Sequence, residues 1–190
     1  LHTLLDGTPV LKRWLEITNT SEKPLALTTC IPWSGRLWLD SIPAWTEKAP
    51  IVLGHSLRDG TFWEGWFGWT NLKQGSNVFK QTQGLRTDDP YFFLRNDGSG
   101  EYFFGQLAWP ANYVMEFQRD NGLTFKTGPI AVDPLRVLAT GETITTPAVH
   151  LGYVRRDFDA AVQANSRKAA QKTPLIRSSR RGPMLSPHGV

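Results

Sequence analysis

The sequence predicts an all-β fold, a large antiparallel β-sandwich (a supersandwich) followed by a short C-terminal helix and a disordered tail. Three observations predict it. Short runs of alternating apolar and polar residues fill the first 154 residues, tight turns separate these runs, and helical periodicity is absent before residue 157. We therefore divide the chain into a β-sandwich domain (1–154), a linker helix (155–172) and a basic linker or disordered tail (173–190).

The first predicted strands are short β-rich runs separated by polar breaks. Val10–Ile17 alternates apolar and polar side chains, and Asn19-Thr20-Ser21 ends it. Pro24–Cys30 is rich in β-forming residues. The runs Ile31–Leu39 and Ile51–Leu53 follow, so this part of the chain predicts four strands.

Two later segments carry the strongest hairpin signals. Tyr91–Arg95 and Glu101–Trp109 flank the turn sequence NDGSG, which predicts a hairpin over Tyr91–Trp109. Tyr113–Arg119 and Leu123–Lys126 flank the turn sequence DNG and predict a second hairpin.

The last predicted elements are a strand and a helix. A turn at Thr140-Gly141-Glu142 precedes the strand Val149–Val154. Asp157 can cap a helix, and the apolar or small residues after it recur at helical spacing, namely Phe158, Ala161, Val162, Asn165 and Ala169. After Thr173 the chain is rich in Pro, Ser, Arg and Gly without periodicity, which is typical of a linker or a disordered tail.

The net charge of +4 comes from the end of the chain. Residues 155–190 hold eight of the 21 basic residues and two of the 17 acidic residues, so the predicted sandwich has a small excess of acid. A basic tail can bind nucleic acid or an acidic membrane, but a solvated end is the commoner explanation. We therefore expect no nucleic-acid partner and no membrane partner.

The sequence offers no complete catalytic or metal-binding pattern. The four histidines are scattered without ligand-like spacing, and no glycine-rich loop joins a strand to a helix. Cys30 is the only cysteine, which excludes an intrachain disulfide and suits a reducing compartment. We expect no metal, no cofactor, no catalytic residue in this chain and a cytoplasmic location.

The aromatic run Phe62–Trp69 is the sharpest functional signal. All eight tryptophans lie between Trp14 and Trp109. Flat rings match the apolar face of a pyranose, and nearby Glu or Asn side chains bind hydroxyl groups. Glu64 lies among these rings, although a solvated carboxylate at a turn is the simpler reading. Packing in the core is the alternative role for each Trp.

The order of several motifs resembles the N-terminal domain of the melibiase-type α-galactosidases (glycoside hydrolase family 36-like). The opening DGTPVLKRW with EITN resembles that domain's "DG-x-P … N" opening, and GTFWE at Gly60–Glu64 resembles "G-x-W-x-E". The remaining resemblances are Pro90-Tyr91-Phe92, Glu101–Trp109 with Asn112-Tyr113, and Gly141–Pro147. Pro110-Ala111-Asn112-Tyr113 departs from the family's "S-G-N-W".

The resemblance implies a β-sandwich that packs beside a (β/α)8 barrel. In the family both catalytic Asp residues lie on that barrel, which needs on the order of 250 residues and is absent here. It also implies that the sandwich supports the sugar pocket and assembly. We expect Trp63, Glu64, Trp66 and Asn112 to bind substrate, with Trp63 as the first candidate.

Three functions remain open at this stage. The first is a domain or fragment of an α-galactosidase-like retaining glycosidase that is inactive alone. Its partners would be a galactose-containing oligosaccharide in the whole enzyme, the catalytic barrel and a possible second copy of the chain. The alternatives are a free-standing carbohydrate-binding module and a structural or oligomerisation domain, in which the Trp residues fill a core and an interface.

Overall fold

The computed structural model describes residues 1–37, 51–57, 66–81, 89–109, 111–120, 122–131 and 134–170. Within these residues the chain forms fifteen strands and one helix. The elements are β1 His2–Leu5, β2 Val10–Trp14, β3 Glu16–Thr18, β4 Leu25–Leu27, β5 Trp33–Leu37, β6 Ile51–Leu57, β7 Trp66–Asn71, β8 Gly75–Gln81, β9 Tyr91–Asn96, β10 Glu101–Leu107, β11 Tyr113–Asp120, β12 Gly122–Pro129, β13 Arg136–Leu138, β14 Thr143–Thr145, β15 Val149–Arg155 and α1 Phe158–Ala170.

Two antiparallel sheets form the body of the fold. The larger has seven strands in the order β1-β2-β15-β10-β9-β6-β7, and the smaller has four in the order β5-β12-β11-β8. Two small pairs, β13-β4 and β14-β3, complete the described strands. The predicted antiparallel sandwich is therefore confirmed.

The main hydrophobic core lies between the two large sheets. Alternate residues of each strand point into it, as the two-residue period of a strand requires. Phe92 and Leu94 enter from β9, and Phe117 and Phe125 enter from the smaller sheet. The rings of Phe92 and Phe125 have centroids 4.6 Å apart, so side chains of the two sheets are in direct contact.

A second, smaller core lies on the other face of the seven-stranded sheet, under α1. Phe93 and Phe104 project from that face, and Ala161 of the helix is fully buried against them. Phe158, at the start of the helix, packs against Phe93 with ring centroids 5.1 Å apart. One helix therefore covers part of a sheet face that would otherwise expose large aromatic rings to water.

Two glycines make room for these rings, one on each face of the seven-stranded sheet. Gly105 is directly opposite Phe92 in the β9–β10 pair, and a Cβ atom on Gly105 would lie 2.6 Å from Phe92 Cε1. On the other face Gly152 is opposite Phe104, whose ring occupies the space of a Gly152 side chain. Each ring therefore covers a neighbouring glycine, as aromatic side chains do when they shield glycine in a sheet.

Both ends of α1 are held by carboxylates. At its start, the Asp157 carboxylate accepts a hydrogen bond of 2.8 Å from the Ala160 backbone N–H, which is an N-cap interaction. Near its end, the buried Lys168 forms an ion pair with Asp6 in the turn between β1 and β2. The helix predicted after Asp157 is therefore present, and it is tied to the beginning of the chain.

The predicted hairpins over Tyr91–Trp109 and around Gly122 are confirmed by the register of β9 with β10 and of β11 with β12.

The run Val10–Ile17 forms two strands instead of one. At Leu15 the backbone N–H donates to Thr146 Oγ1 at 3.0 Å, and the Thr146 N–H donates to the Leu15 carbonyl at 2.9 Å. The chain therefore changes partners at Leu15: β2 pairs with β15, whereas β3 pairs with β14.

Three strands, β1, β7 and β8, have no counterpart in the sequence predictions. On either side of the turn at Thr140–Glu142 the chain forms the strands β13 and β14. They do not pair with each other: β13 pairs with β4, and β14 pairs with β3. The predicted tail from residue 173 lies outside the described residues. No helix among those that the structure describes is long and apolar enough to cross a membrane.

Candidate functional site

The strand order brings several strand ends to one end of the sandwich, which we call the loop end. β6 ends there at Leu57 and β7 begins there at Trp66, and these two residues are opposite each other. Tyr91 begins β9 at the same end, because His55 of β6 is opposite Phe92. The end of β10 and the start of β11 lie there too, since Gln106 is opposite Tyr91 and Tyr113 is opposite Gln81.

Two of the four predicted substrate-binding residues lie among the described residues. Trp63 and Glu64 lie outside the described residues. Trp66 is the first residue of β7. Asn112 immediately precedes β11, in the connection from β10. The topology therefore brings Trp66 and Asn112 to the same end of the fold. In the sheet, β7 is three strands from β10, a separation of about 14 Å.

Asn112 organises its loop through its main chain. Its carbonyl oxygen accepts a hydrogen bond of 3.0 Å from Trp109 Nε1 and another of 3.1 Å from the Ile130 N–H. The indole of Trp109 packs against the main core. The Asn112 carbonyl oxygen thus joins Trp109 before the "S-G-N-W"-like segment to Ile130 after β12.

A cavity of about 230 Å³ opens between the two sheets at the loop end. Phe92 and Phe117 contribute apolar surface to it, and the polar or charged residues that line it are His55, Ser56, Lys80, Asp89, Tyr91 and Tyr113. None of these polar residues was predicted as a site residue. The alternation of side chains along β9 and β11 gives the faces of those strands, but it does not show which residues line a gap between sheets.

The cavity can offer hydrogen bonds at neutral pH. Burial, reinforced by the nearby Asp89 carboxylate, raises the pKa of the Tyr91 hydroxyl, so this phenol stays neutral and can both donate and accept. His55 is oriented by its own strand, because its Nδ1 lies 2.8 Å from the Ser56 carbonyl oxygen. These groups lie beside the charged side chains of Lys80 and Asp89 in the lining.

The described lining of this cavity holds one carboxylate, fewer than glycoside hydrolysis uses. That reaction uses two carboxyl groups held at a set separation across the bond. Asp89 is the one carboxylate among the described residues that line the cavity. In the described part of the chain there is also no cluster of three or more His, Cys, Asp or Glu that could hold a metal ion.

The described end of the aromatic run packs under the helix. Trp69 contacts Phe158 with ring centroids 5.2 Å apart, and the Arg95 guanidinium lies 4.7 Å from the centroid of the Trp69 ring. Phe67 stacks with Phe158 at 5.6 Å but keeps 38% of its surface exposed. Trp69 therefore has a core role, which was the alternative for each Trp in the sequence analysis.

Several motif residues that carry the family resemblance have structural roles. Asn19 is buried, and its Nδ2 donates to the carbonyl oxygens of Lys23 and Leu138 at 2.8 and 3.0 Å. The Asn19 N–H donates to the Glu142 carbonyl, and the Gly141 N–H donates to the Asn19 carbonyl. The opening motif and the closing motif therefore bond to each other.

Comparisons with known proteins give a consistent result at the level of structure. No protein-family profile and no curated protein sequence matches the chain. Among solved structures, the galactosidase domain of an α-galactosidase–sucrose kinase, AgaSK, is similar over 82% of this chain and 21% of its own length, with 19% identity and a TM-score of 0.67. The α-galactosidase from Lactobacillus brevis is similar over 86% of this chain and 22% of its own, with 18% identity and a TM-score of 0.68.

A third similar structure is the GH36 α-galactosidase AgaA from Geobacillus stearothermophilus, at 18% identity and a TM-score of 0.66 over 83% of this chain. This chain spans about a fifth of the length of the structures it matches. It has the fold of a part of these larger proteins, as the motif order predicts.

Proposed function

We propose that this chain is an accessory β-sandwich domain of an α-galactosidase-like retaining glycoside hydrolase that acts on α-galactosides. It supports the sugar pocket and assembly, and it is not catalytic alone. The observation that carries the proposal is the fold match: more than four fifths of the chain corresponds to about a fifth of several α-galactosidases.

Catalysis in this proposal belongs to a barrel that the chain does not contain. A (β/α)8 barrel takes on the order of 250 residues. Residues 1–155 supply the described strands instead, and α1 packs back onto β10 and β15. The loop-end cavity has one carboxylate among its described residues, whereas a retaining glycosidase uses two, which supports a catalytic centre on the barrel.

The loop end is the part of the domain that we assign to the sugar pocket. Trp63, Glu64, Trp66 and Asn112 are its proposed substrate-binding residues. The flanking strands support this, because β6, β7, β10 and β11 all end or begin there. An indole ring at this end would stack on a pyranose held mainly by the barrel. The proposed partners are the galactose-containing oligosaccharide, the barrel and a second copy of the chain, in the cytoplasm.

The first experiment tests catalysis and context together. The full 190-residue chain is assayed with an aryl α-galactoside, and the encoding DNA is sequenced on both sides in all reading frames. We expect no hydrolysis above the buffer rate and a barrel-length reading frame with Asp-bearing strand ends. Hydrolysis by the chain alone would overturn the accessory role, and the absence of any such frame would overturn the link to a barrel.

The second experiment tests the sugar pocket in the whole enzyme. Trp63→Ala is expected to raise KM for an α-galactoside about tenfold, because ring stacking contributes on the order of 1 kcal/mol or more. The matched control is Trp14→Ala, since Trp14 lies on β2 and stacks on His2 with centroids 5.0 Å apart. Equal effects of the two substitutions would contradict a specific role for Trp63.

A structural or oligomerisation domain is the second candidate, favoured by the edge strand β1. Leu4 and Leu5 of β1 are 47% and 71% exposed, which is unusual for adjacent leucines at an open sheet edge. Sedimentation of the chain tests this, and Leu5→Lys should dissociate any dimer formed there. A monomer that binds millimolar galactosides with a change in Trp fluorescence would instead favour a free-standing carbohydrate-binding module.

A further inference from the structure

A second cavity, of about 700 Å³, lies beside α1 and away from the loop end. We call it the basic groove. The helix contributes residues spaced three and four apart, which form one face. Its lining residues are Gly7, Thr8 and Pro9 before β2, Val154, Arg155 and Arg156 at the end of β15, and Ala160, Gln163, Ala164 and Arg167 of the helix.

Small residues create the space in this groove. Ala160 and Ala164 are the positions of the helix that face the gap, and neither has atoms beyond Cβ to fill it. Gly7 has a φ of 80°, a left-handed conformation that glycine adopts without strain. The Asp6–Lys168 ion pair holds the Gly7 turn against the end of the helix. The groove is therefore framed by a fixed turn, a strand end and a helix.

The charge of the groove is strongly positive. Three arginines line it, and no acidic residue is among its described lining. None of the ion pairs between described residues involves Arg155, Arg156 or Arg167. The neighbouring cation Lys168 is already neutralised by Asp6. Three like charges around one cavity repel each other, so a bound anion would relieve this repulsion.

A helix-dipole effect explains only part of this arrangement. Arg167 lies in the last turn of α1, where cations favourably face the free carbonyl groups. Arg155 and Arg156 precede the helix, at the end where its dipole disfavours positive charge. The helix dipole therefore does not account for the position of these two arginines.

We propose that the basic groove binds a small phosphorylated molecule. Planar guanidinium groups bind phosphate oxygens in pairs, and a phosphate monoester carries close to two negative charges at neutral pH. The volume exceeds what inorganic phosphate needs and lies in the range of sites for small organic ligands. Gln163, a neutral polar residue of the lining, offers a partner for uncharged hydroxyl groups of the same molecule.

Calorimetric titration of the full 190-residue chain tests the proposal. The probes are galactose 6-phosphate, pyrophosphate and free galactose, each in buffer with about 0.15 M salt so that weak surface attraction is screened. We expect saturable binding of the two phosphorylated probes at one site and no binding of free galactose at this site. Failure of both phosphorylated probes to bind would overturn the proposal.

Matched charge changes separate the groove from the basic tail. Arg156→Gln with Arg167→Gln should weaken phosphate binding by about a hundredfold, since each charge-assisted contact contributes about tenfold or more. Arg180→Gln with Arg181→Gln removes the same charge from the basic tail, and on this proposal it should leave the affinity unchanged. Thermal melting without ligand confirms that both double variants fold.

Three results would count against the groove. Equal weakening in both double variants would show a general charge effect, and weakening in the tail variant alone would place the site elsewhere. Binding of DNA or heparin without binding of the small phosphates would show a polyanion surface instead of a small-molecule site.

Discussion

Gly105→Ala is the substitution whose effect can be worked out most directly from the geometry. The added Cβ would lie 2.6 Å from Phe92 Cε1, 2.8 Å from Phe92 Cζ and 3.0 Å from the His150 carbonyl oxygen. Ordinary carbon contacts are about 3.5–4.0 Å, so the ring would have to move by about 1 Å. Phe92 is 1% exposed, so its ring is enclosed by other side chains.

The neighbours of Phe92 determine the size of the effect. Its ring packs against Phe117 and Phe125, with centroids 5.1 and 4.6 Å apart. Overfilling a packed core costs about 1–3 kcal/mol of unfolding free energy. For a domain of this size that lowers Tm by about 2–4 °C for each kcal/mol. Urea unfolding followed by Trp fluorescence measures the free energy, and the melting curve measures Tm.

Gly35→Ala is the matched control, because Gly35 is also a strand glycine. Its added Cβ would meet the Trp33 ring at 4.0 Å, an ordinary contact. This variant should be neutral or gain up to about 1 kcal/mol, since alanine lowers the entropy of the unfolded chain. Phe92→Leu should partly rescue Gly105→Ala in a double-mutant cycle. A Gly105→Ala protein as stable as Gly35→Ala would refute the reasoning.

Three further outcomes are expected. Lys168 and Thr8 hold the pKa of Asp6 well below its ordinary value of 3.8. The contribution of Asp6 to stability is therefore complete at neutral pH and is lost as the pH falls below about 4. The melting temperatures of wild type and Asp6→Asn should converge in acid, and a constant difference from pH 7 to pH 2 would contradict this. Asn19→Ala should cost about 1–3 kcal/mol in urea unfolding because it leaves the buried Leu138 carbonyl oxygen without the Asn19 donor, whereas Ser21→Ala should cost about 1 kcal/mol. Burial raises the pKa of the Cys30 thiol, so a thiol reagent should react slowly with the native protein and quickly in urea, and equal rates would contradict its burial.

The parts of the fold that the sequence predicts are those that local residues determine. The two long hairpins follow from turn sequences between alternating strands, and Asp157 marks the helix start. Pairing between distant strands leaves no such local signal. The partner of β14, for example, is β3, and Ile144 is opposite Ile17 across more than a hundred intervening residues.

The candidate site was predictable only in part for a related reason. A motif match selects Asn112, but its carbonyl oxygen, which any residue would provide, makes the structural contacts. Lys80 lies on β8 and Asp89 lies in the connection before β9, so only the packing of the two sheets brings them to one cavity. The basic groove likewise combines the first turn of the chain with its last helix.

The position of β15 affects how the domain folds during synthesis. This strand lies between β2 and β10, so it joins the earliest part of the large sheet to the rest. Until residue 155 has left the ribosome, β2 and β10 each present an unpaired edge to other chains. The Asp6–Lys168 pair, which spans 162 residues, forms later still. Local hairpins can form early. The edges of β2 and β10 are covered only when β15 inserts between them, so slow translation of β15 would prolong their exposure.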